Sequence, residues 1–143
     1  MKNINKIADY GIKIVKNIAI AGIIYTGILL VAQGISQETS QRINNQSQLE
    51  QILNIERKRA GIKNEMIINI SMSNNKEDIS EAEKIGEKYY QITLSPRSSN
   101  LSTLRHELYH ITDGHCDETY NNFKYFFWNE PQATIYQITG LKP

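Results

Sequence analysis

The chain has 143 residues, with 16 Lys and Arg against 15 Asp and Glu and 40% hydrophobic residues, which bounds it to one small domain with appendages. A formal charge of +1 and no basic stripe along the chain argue against a nucleic-acid partner. A single cysteine, Cys116, excludes an intrachain disulfide and reads as a small packing residue.

Residues 1–16 carry Lys2, Lys6, Lys13 and Lys16 against Asp9 and read as a basic, cytoplasmic N-terminus. Residues 17–37 hold no charge, and the run from Ile18 to Ile35 is largely Ile, Leu, Ala, Val and Gly. About 20 apolar residues cross a bilayer, so 17–37 is predicted to be a transmembrane signal anchor. Basic residues before it and Glu38 after it place the rest of the chain outside the cytoplasm. The same features fit an export signal that is cleaved to release a secreted protein, although Leu30-Val31-Ala32 is a poor cleavage site. A buried soluble helix is a third reading, weakened by Gly22, Gly27 and Gly34. The polar stretch that follows, taken as 38–47, reads as a tether, leaving 48–143 as the folded domain.

From about Gln46 a helical period appears in Leu49, Ile52 and Leu53, and Arg57-Lys58-Arg59-Ala60-Gly61 is a helix stop. The alternation in Met66 to Met72 predicts a strand. Asn74 to Glu87 is charged without a strong apolar face and reads as a loop or short exposed helix. Tyr89 to Leu94 is a second strand, stopped by Ser95-Pro96. If that strand is a sheet edge beside the site described next, an extended peptide can pair with it.

Asn100 or Ser102 caps a helix containing His106-Glu107-Leu108-Tyr109-His110, an H-E-x-x-H pattern. On a helix His106 and His110 leave one face about 6 Å apart, which suits two imidazoles on one metal ion. Glu107 lies close enough to reach a water on that ion without being a ligand, the arrangement of a zinc hydrolase. Leu101, Leu104, Leu108 and Ile111 form a stripe opposite the histidines, so the predicted helix buries one side and shows both rings on the other. Asp113, one turn past His110, is a possible second partner for a ligand or a helix cap.

Cys116 to Asn129 holds Tyr120, Phe123, Tyr125, Phe126, Phe127 and Trp128, read as core beneath the site with pocket wall as the alternative. Asn129 is a predicted N-cap and Pro131 fits a first turn, so Glu130 opens a last helix that Gly140 ends. A catalytic zinc commonly takes two histidines and a glutamate, and Glu130 is the candidate third ligand. Thr134 or Gln137, on its face, is suited to hold its carboxylate.

H-E-x-x-H followed after this interval by N-E-x-x-A resembles the gluzincin branch of zinc metallopeptidases, the group of thermolysin, over about Tyr90 to Gly140. The chain is too short for the second domain of the larger members. It is more similar to minimal gluzincins or to compact domains of the ImmA/IrrE type, and Thr134 stands where an acidic residue is often found. The resemblance implies Zn²⁺ held by His106, His110 and Glu130, with Glu107 as general base for hydrolysis of a peptide or protein substrate. Tyr109, His115, Tyr120 and Tyr136 are candidate oxyanion donors or supporting residues. A metzincin-like site is the competing arrangement, with Gly114, His115 and Asp117 each one place off its spacing. The expected fold is α+β, a short sheet on about three helices behind one transmembrane helix, in a zincin-like arrangement. A membrane-anchored zinc-binding interaction domain without turnover is the alternative function, and an interaction subunit whose histidines bind nothing is a third.

Overall fold

The computed structural model describes residues 2–117 and 124–141, with side chains from residue 14 onward apart from those of 126 and 127. Tyr120 and Phe123 lie outside the described residues, as do the side chains of Phe126 and Phe127. Four α-helices and one three-stranded sheet make an α+β fold, in the order α1 (Lys2–Thr39), α2 (Gln46–Ala60), β1 (Ile67–Met72), β2 (Glu81–Lys84), β3 (Tyr89–Leu94), α3 (Leu101–Thr112) and α4 (Glu130–Thr139).

The helix ends follow local chemistry. Asn45 caps α2 by accepting from Gln48 N at 2.9 Å, and Gly61 closes it in the left-handed conformation that only glycine adopts without strain. Asn100, rather than Ser102, caps α3 by accepting from Thr103 N at 2.9 Å. Leu49, Ile52 and Leu53 of α2 turn inward against α3 and β1.

The sheet order is β1-β3-β2, with β1 parallel and β2 antiparallel to β3. Tyr90, Ile92 and Leu94 alternate inward from β3 and join Leu104 and Leu108 in the core. Two expectations change here. Asn74 to Glu87 is not simply a loop or helix, because Glu81–Lys84 within it is a strand, Ala82 opposite Ile92 and Lys84 opposite Tyr90. Glu-Ala-Glu-Lys has little strand propensity; its pairing is supplied by β3 and by the tight return through Ile85 and Gly86, both bonded to Tyr89 O. Tyr89–Leu94 is therefore the middle strand, and β2 is the sheet edge on the side of α3.

The polar stretch expected as a tether is also ordered. α1 stays helical through Thr39, and residues 40–43 are bonded to the start of α3: Ile43 N donates to Ser99 O at 3.0 Å, Leu101 N to Gln41 O at 2.9 Å, and Ser102 N to Ser40 Oγ at 2.8 Å. Ile43 is 1% exposed. Serine, glutamine and asparagine read as solvated linker in sequence, but the same groups satisfy the unpaired amides at a helix N-terminus. Within α1, Ile14–Thr39 is 26 residues long and apolar enough to cross a membrane or serve as a signal sequence.

Asn129 is not an N-cap. Its backbone is helical (φ −69°, ψ −49°), it makes no capping bond, and it ends a π-helical turn, Tyr125–Asn129, that runs directly into α4. Pro131 does sit in the first turn of α4, and Gly140 ends it at φ 67°.

Candidate metal centre

The leucine stripe of α3 packs as its phase predicts, with Leu104 and Leu108 fully buried and Ile111 nearly so. The opposite face is covered as well: His106, Glu107 and His110 are 8%, 6% and 5% exposed. α4 and the π-helical turn lie over that face, and their junction brings Glu130 to both imidazoles.

Two imidazole nitrogens and one carboxylate converge. His106 Nε2 and His110 Nε2 are 3.1 Å apart, His106 Nε2 is 3.3 Å from Glu130 Oε2, and His110 Nε2 is 3.3 Å from Glu130 Oε1. Donors bound at about 2.0–2.1 Å around a tetrahedral zinc stand about 3.3 Å from one another, so this set fits the ion. Among the described residues it is the one group of three or more such side chains close enough to share a metal.

Proton positions favour the same use. Gln137 Oε1 can only accept, so His106 Nδ1, 3.0 Å away, donates to it and leaves Nε2 with its lone pair. Asp113 Oδ2 accepts from His115 Nε2 at 3.2 Å. His115 Nδ1 then accepts from His110 Nδ1 at 3.0 Å, which leaves a second lone pair on His110 Nε2. Gln137 thus holds a histidine, not the Glu130 carboxylate as expected. Tyr125 takes that part by hydrogen-bonding Glu130, and its ring stacks on His110 with centroids 5.9 Å apart.

The electrostatics favour a cation. Burial works to raise the Glu130 pKa, yet hydrogen bonds from His106 and His110 hold it well below the usual carboxylate range. Burial works to lower His106, but Glu130, Glu107 and Gln137 raise it on balance. Glu107 is raised chiefly by burial, with the two histidines opposing and Glu130 and Glu81 adding to the rise. A buried carboxyl shifted this way is suited to take and return a proton near neutral pH.

A cleft of 860 Å³ opens over His106, His110, Glu130 and Glu107, walled by β2 on one side, Gln33 and Gln37 of α1, and Tyr125 and Asn129 of the π-helical turn. Thr103 and Asn129 also line it, and their buried side-chain oxygens have no partner among the described residues. Tyr109 and Tyr136 do not line it; their rings pack together at 5.5 Å, and Tyr109 also packs against His115. His115 stands behind His110, which removes it as a third ligand of the metzincin kind. Cys116 Sγ donates to Ala82 O at 3.5 Å, and burial, aided by Glu107 and Asp117, pushes its thiol up to about 12. It packs against the core and is not part of the metal-capable group among the described residues.

Sequence reasoning gave Tyr125 only as one aromatic among six and did not find β2. Ring stacking and strand pairing come from chain segments distant in sequence, and no local period announces either. No family model, characterised protein or solved structure matches the chain.

Proposed function

We propose that the chain is a zinc-dependent endopeptidase of the gluzincin type. The observation that carries this reading is the convergence of His106 Nε2, His110 Nε2 and the Glu130 carboxylate, with each imidazole nitrogen 3.3 Å from a different carboxylate oxygen, beside a buried Glu107 that takes no part in it. A purely structural metal needs no such carboxylate.

Zinc, when bound, supplies the Lewis acidity that acidifies water and polarises a carbonyl. Glu107 takes the proton from the attacking water and passes it to the leaving amine as the peptide C–N bond breaks. The outer edge of β2, where Ala82 O already accepts from Cys116 Sγ, borders the cleft, and its remaining backbone groups suit an extended peptide, in the place expected for the strand before α3. Tyr125, on the cleft wall, gives its single phenol proton to Glu130 and so holds that carboxylate towards the two imidazoles.

We infer further that α1 is a retained single-span anchor with its N-terminus in the cytoplasm and the domain outside. The bonds from Ser36, Gln37 and Ser40 to the start of α3 favour retention over cleavage, because a cleaved signal leaves its product.

The test uses the full chain in detergent micelles, wild type beside Glu107→Gln, with metal content and cleavage of an unfolded protein measured on both. Equal zinc loading with hydrolysis in the wild type alone is the expected result. Hydrolysis that survives zinc removal overturns the mechanism. Zinc on both and cleavage by neither leaves the alternative, a zinc-binding interaction domain.

A further inference from the structure

Resting on the peptidase and anchor readings above, we propose that the substrate is a polypeptide segment emerging from a bilayer, cut close to the membrane surface.

The inference comes from how α1 joins the domain. The helix is unbroken from Lys2 to Thr39. Leu29, Ala32, Gln33, Ser36, Gln37 and Ser40 are half-buried along one stripe, spaced so as to share a helix face, while Val31 and Ile35 between them remain exposed. Hydrogen bonds fix that stripe to α3: Ser36 Oγ with Ser102 Oγ at 2.8 Å, Ser102 N to Ser40 Oγ at 2.8 Å, and Asn100 Nδ2 to Gln37 O at 3.4 Å. α4 packs along the same helix.

These bonds set the height of the site. His106 lies one turn, about 6 Å, along α3 from Ser102. Gln33 and Gln37 line the same cleft as His106 and Glu107. Gln33 falls within the apolar run from Ile18 to Ile35, and Ile35 beside it is 57% exposed. That run is about 27 Å long at 1.5 Å per residue, against a hydrocarbon thickness of about 30 Å. Even the longer segment Ile14–Thr39, about 39 Å, exceeds that thickness by only about 9 Å, so the domain stands within about two helical turns of the hydrocarbon. With α1 spanning, Gln33 to Gln37 stand at the hydrocarbon boundary, where a polar stripe needs partners, and the domain supplies them.

A flexible tether of about ten residues would let the site roam by about 17 Å; the docked segment removes that freedom. The cleft therefore faces the first few residues of any chain leaving the same leaflet. An extended strand advances about 3.3 Å per residue, so the four residues of β2 pair with about 13 Å of substrate close to its own span. Substrates of this class are the juxtamembrane segments of other membrane-inserted chains, and freely diffusing proteins lack the shared anchorage that concentrates them at the site.

The experiment reconstitutes the full, zinc-loaded chain in liposomes with a single-span helix whose external stalk is a run of identical short repeats. The same sequence is thereby offered at every height. A matching stalk without the span is supplied free in solution, and an unfolded soluble protein is the control for turnover. Mass spectrometry maps the cuts. We expect cleavage in the repeats nearest the membrane at least about ten-fold faster than in distal repeats or in the free stalk. Even cleavage along the stalk, or cleavage confined to distal repeats or to soluble substrates, overturns the inference and leaves the peptidase standing. Absence of any cleavage, including of the control protein, overturns both.

Discussion

His115 and Asp113 set the working state of His110. The imidazole of His110 presents a lone pair at Nε2 because its other nitrogen donates to His115, which in turn donates to Asp113. Removing His115 leaves the His110 N–H buried without that acceptor and lets the ring turn or change tautomer. We expect His115→Ala to weaken zinc binding about 10- to 100-fold, and Asp113→Asn to weaken it less, since an amide oxygen still accepts from His115 Nε2. Competition against a chromophoric chelator reads both, and unchanged affinity in His115→Ala would sink the relay. Cys116 gives a prediction of the opposite kind. Its thiol is raised from 9.0 to about 12 by burial first, then by Glu107 and Asp117, with Lys84 opposing. A thiol raised on folding is held in its neutral form. Its contribution to stability is whole below the unfolded pKa and is lost as pH climbs through that value toward about 12. Iodoacetamide should therefore label the native chain far more slowly at mildly alkaline pH than the urea-unfolded chain. Equal rates would contradict the half-buried placement.

Between elements, the contact most exposed to a single change is Glu56 of α2 with Arg105 of α3. Glu56 is buried, and its two oxygens accept from Arg105 Nε at 2.9 Å and Arg105 NH2 at 3.2 Å, while Arg59 adds a bond at 2.9 Å. Paired, the two charges are compensated; with Glu56 gone, a mostly buried guanidinium is stranded. We expect Glu56→Ala to destabilise the fold by about 3 kcal/mol, read as a lower urea midpoint at unchanged m-value, and a loss below about 1 kcal/mol would place the pair among weak surface bridges. α2 and α3 were legible in sequence because caps, periodicity and the i, i+4 spacing of His106 and His110 are all local. Glu130 was legible from its interval and from Pro131, although Asn129 beside it proved to be helix interior rather than cap. β2 was not legible, since Glu81 to Lys84 become a strand only through pairing with β3. Nor were the partners of the histidines and Glu130: Thr134 or Gln137 was expected at Glu130, but Gln137 is found at His106 and Tyr125 bonds Glu130. Which ring nitrogen meets which oxygen is decided by how α3, α4 and the π-helical turn pack, and no spacing in the chain encodes it.

At the scale of the whole molecule, the segment after α1 decides whether the site is held at a fixed place or swings on a leash. Two soluble fragments separate these cases, one beginning at Ser40 and one at Asn45. The shorter fragment loses Ile43, almost completely buried, together with the bonds Ile43 N to Ser99 O, Leu101 N to Gln41 O and Ser102 N to Ser40 Oγ. Burying an isoleucine contributes about 1.5–3 kcal/mol, and each hydrogen bond about 1 kcal/mol net. A difference of at least about 3 kcal/mol in unfolding free energy is expected, with zinc affinity falling alongside because the lost bonds hold the first turn of the helix that carries His106. Fragments of equal stability would mean that residues 40–44 add nothing to the fold, and the height of the cleft above the membrane would then be free to vary. A large difference ties the anchor to the ligands through one continuous set of bonds, which is the condition for a site that selects substrate by its distance from the bilayer.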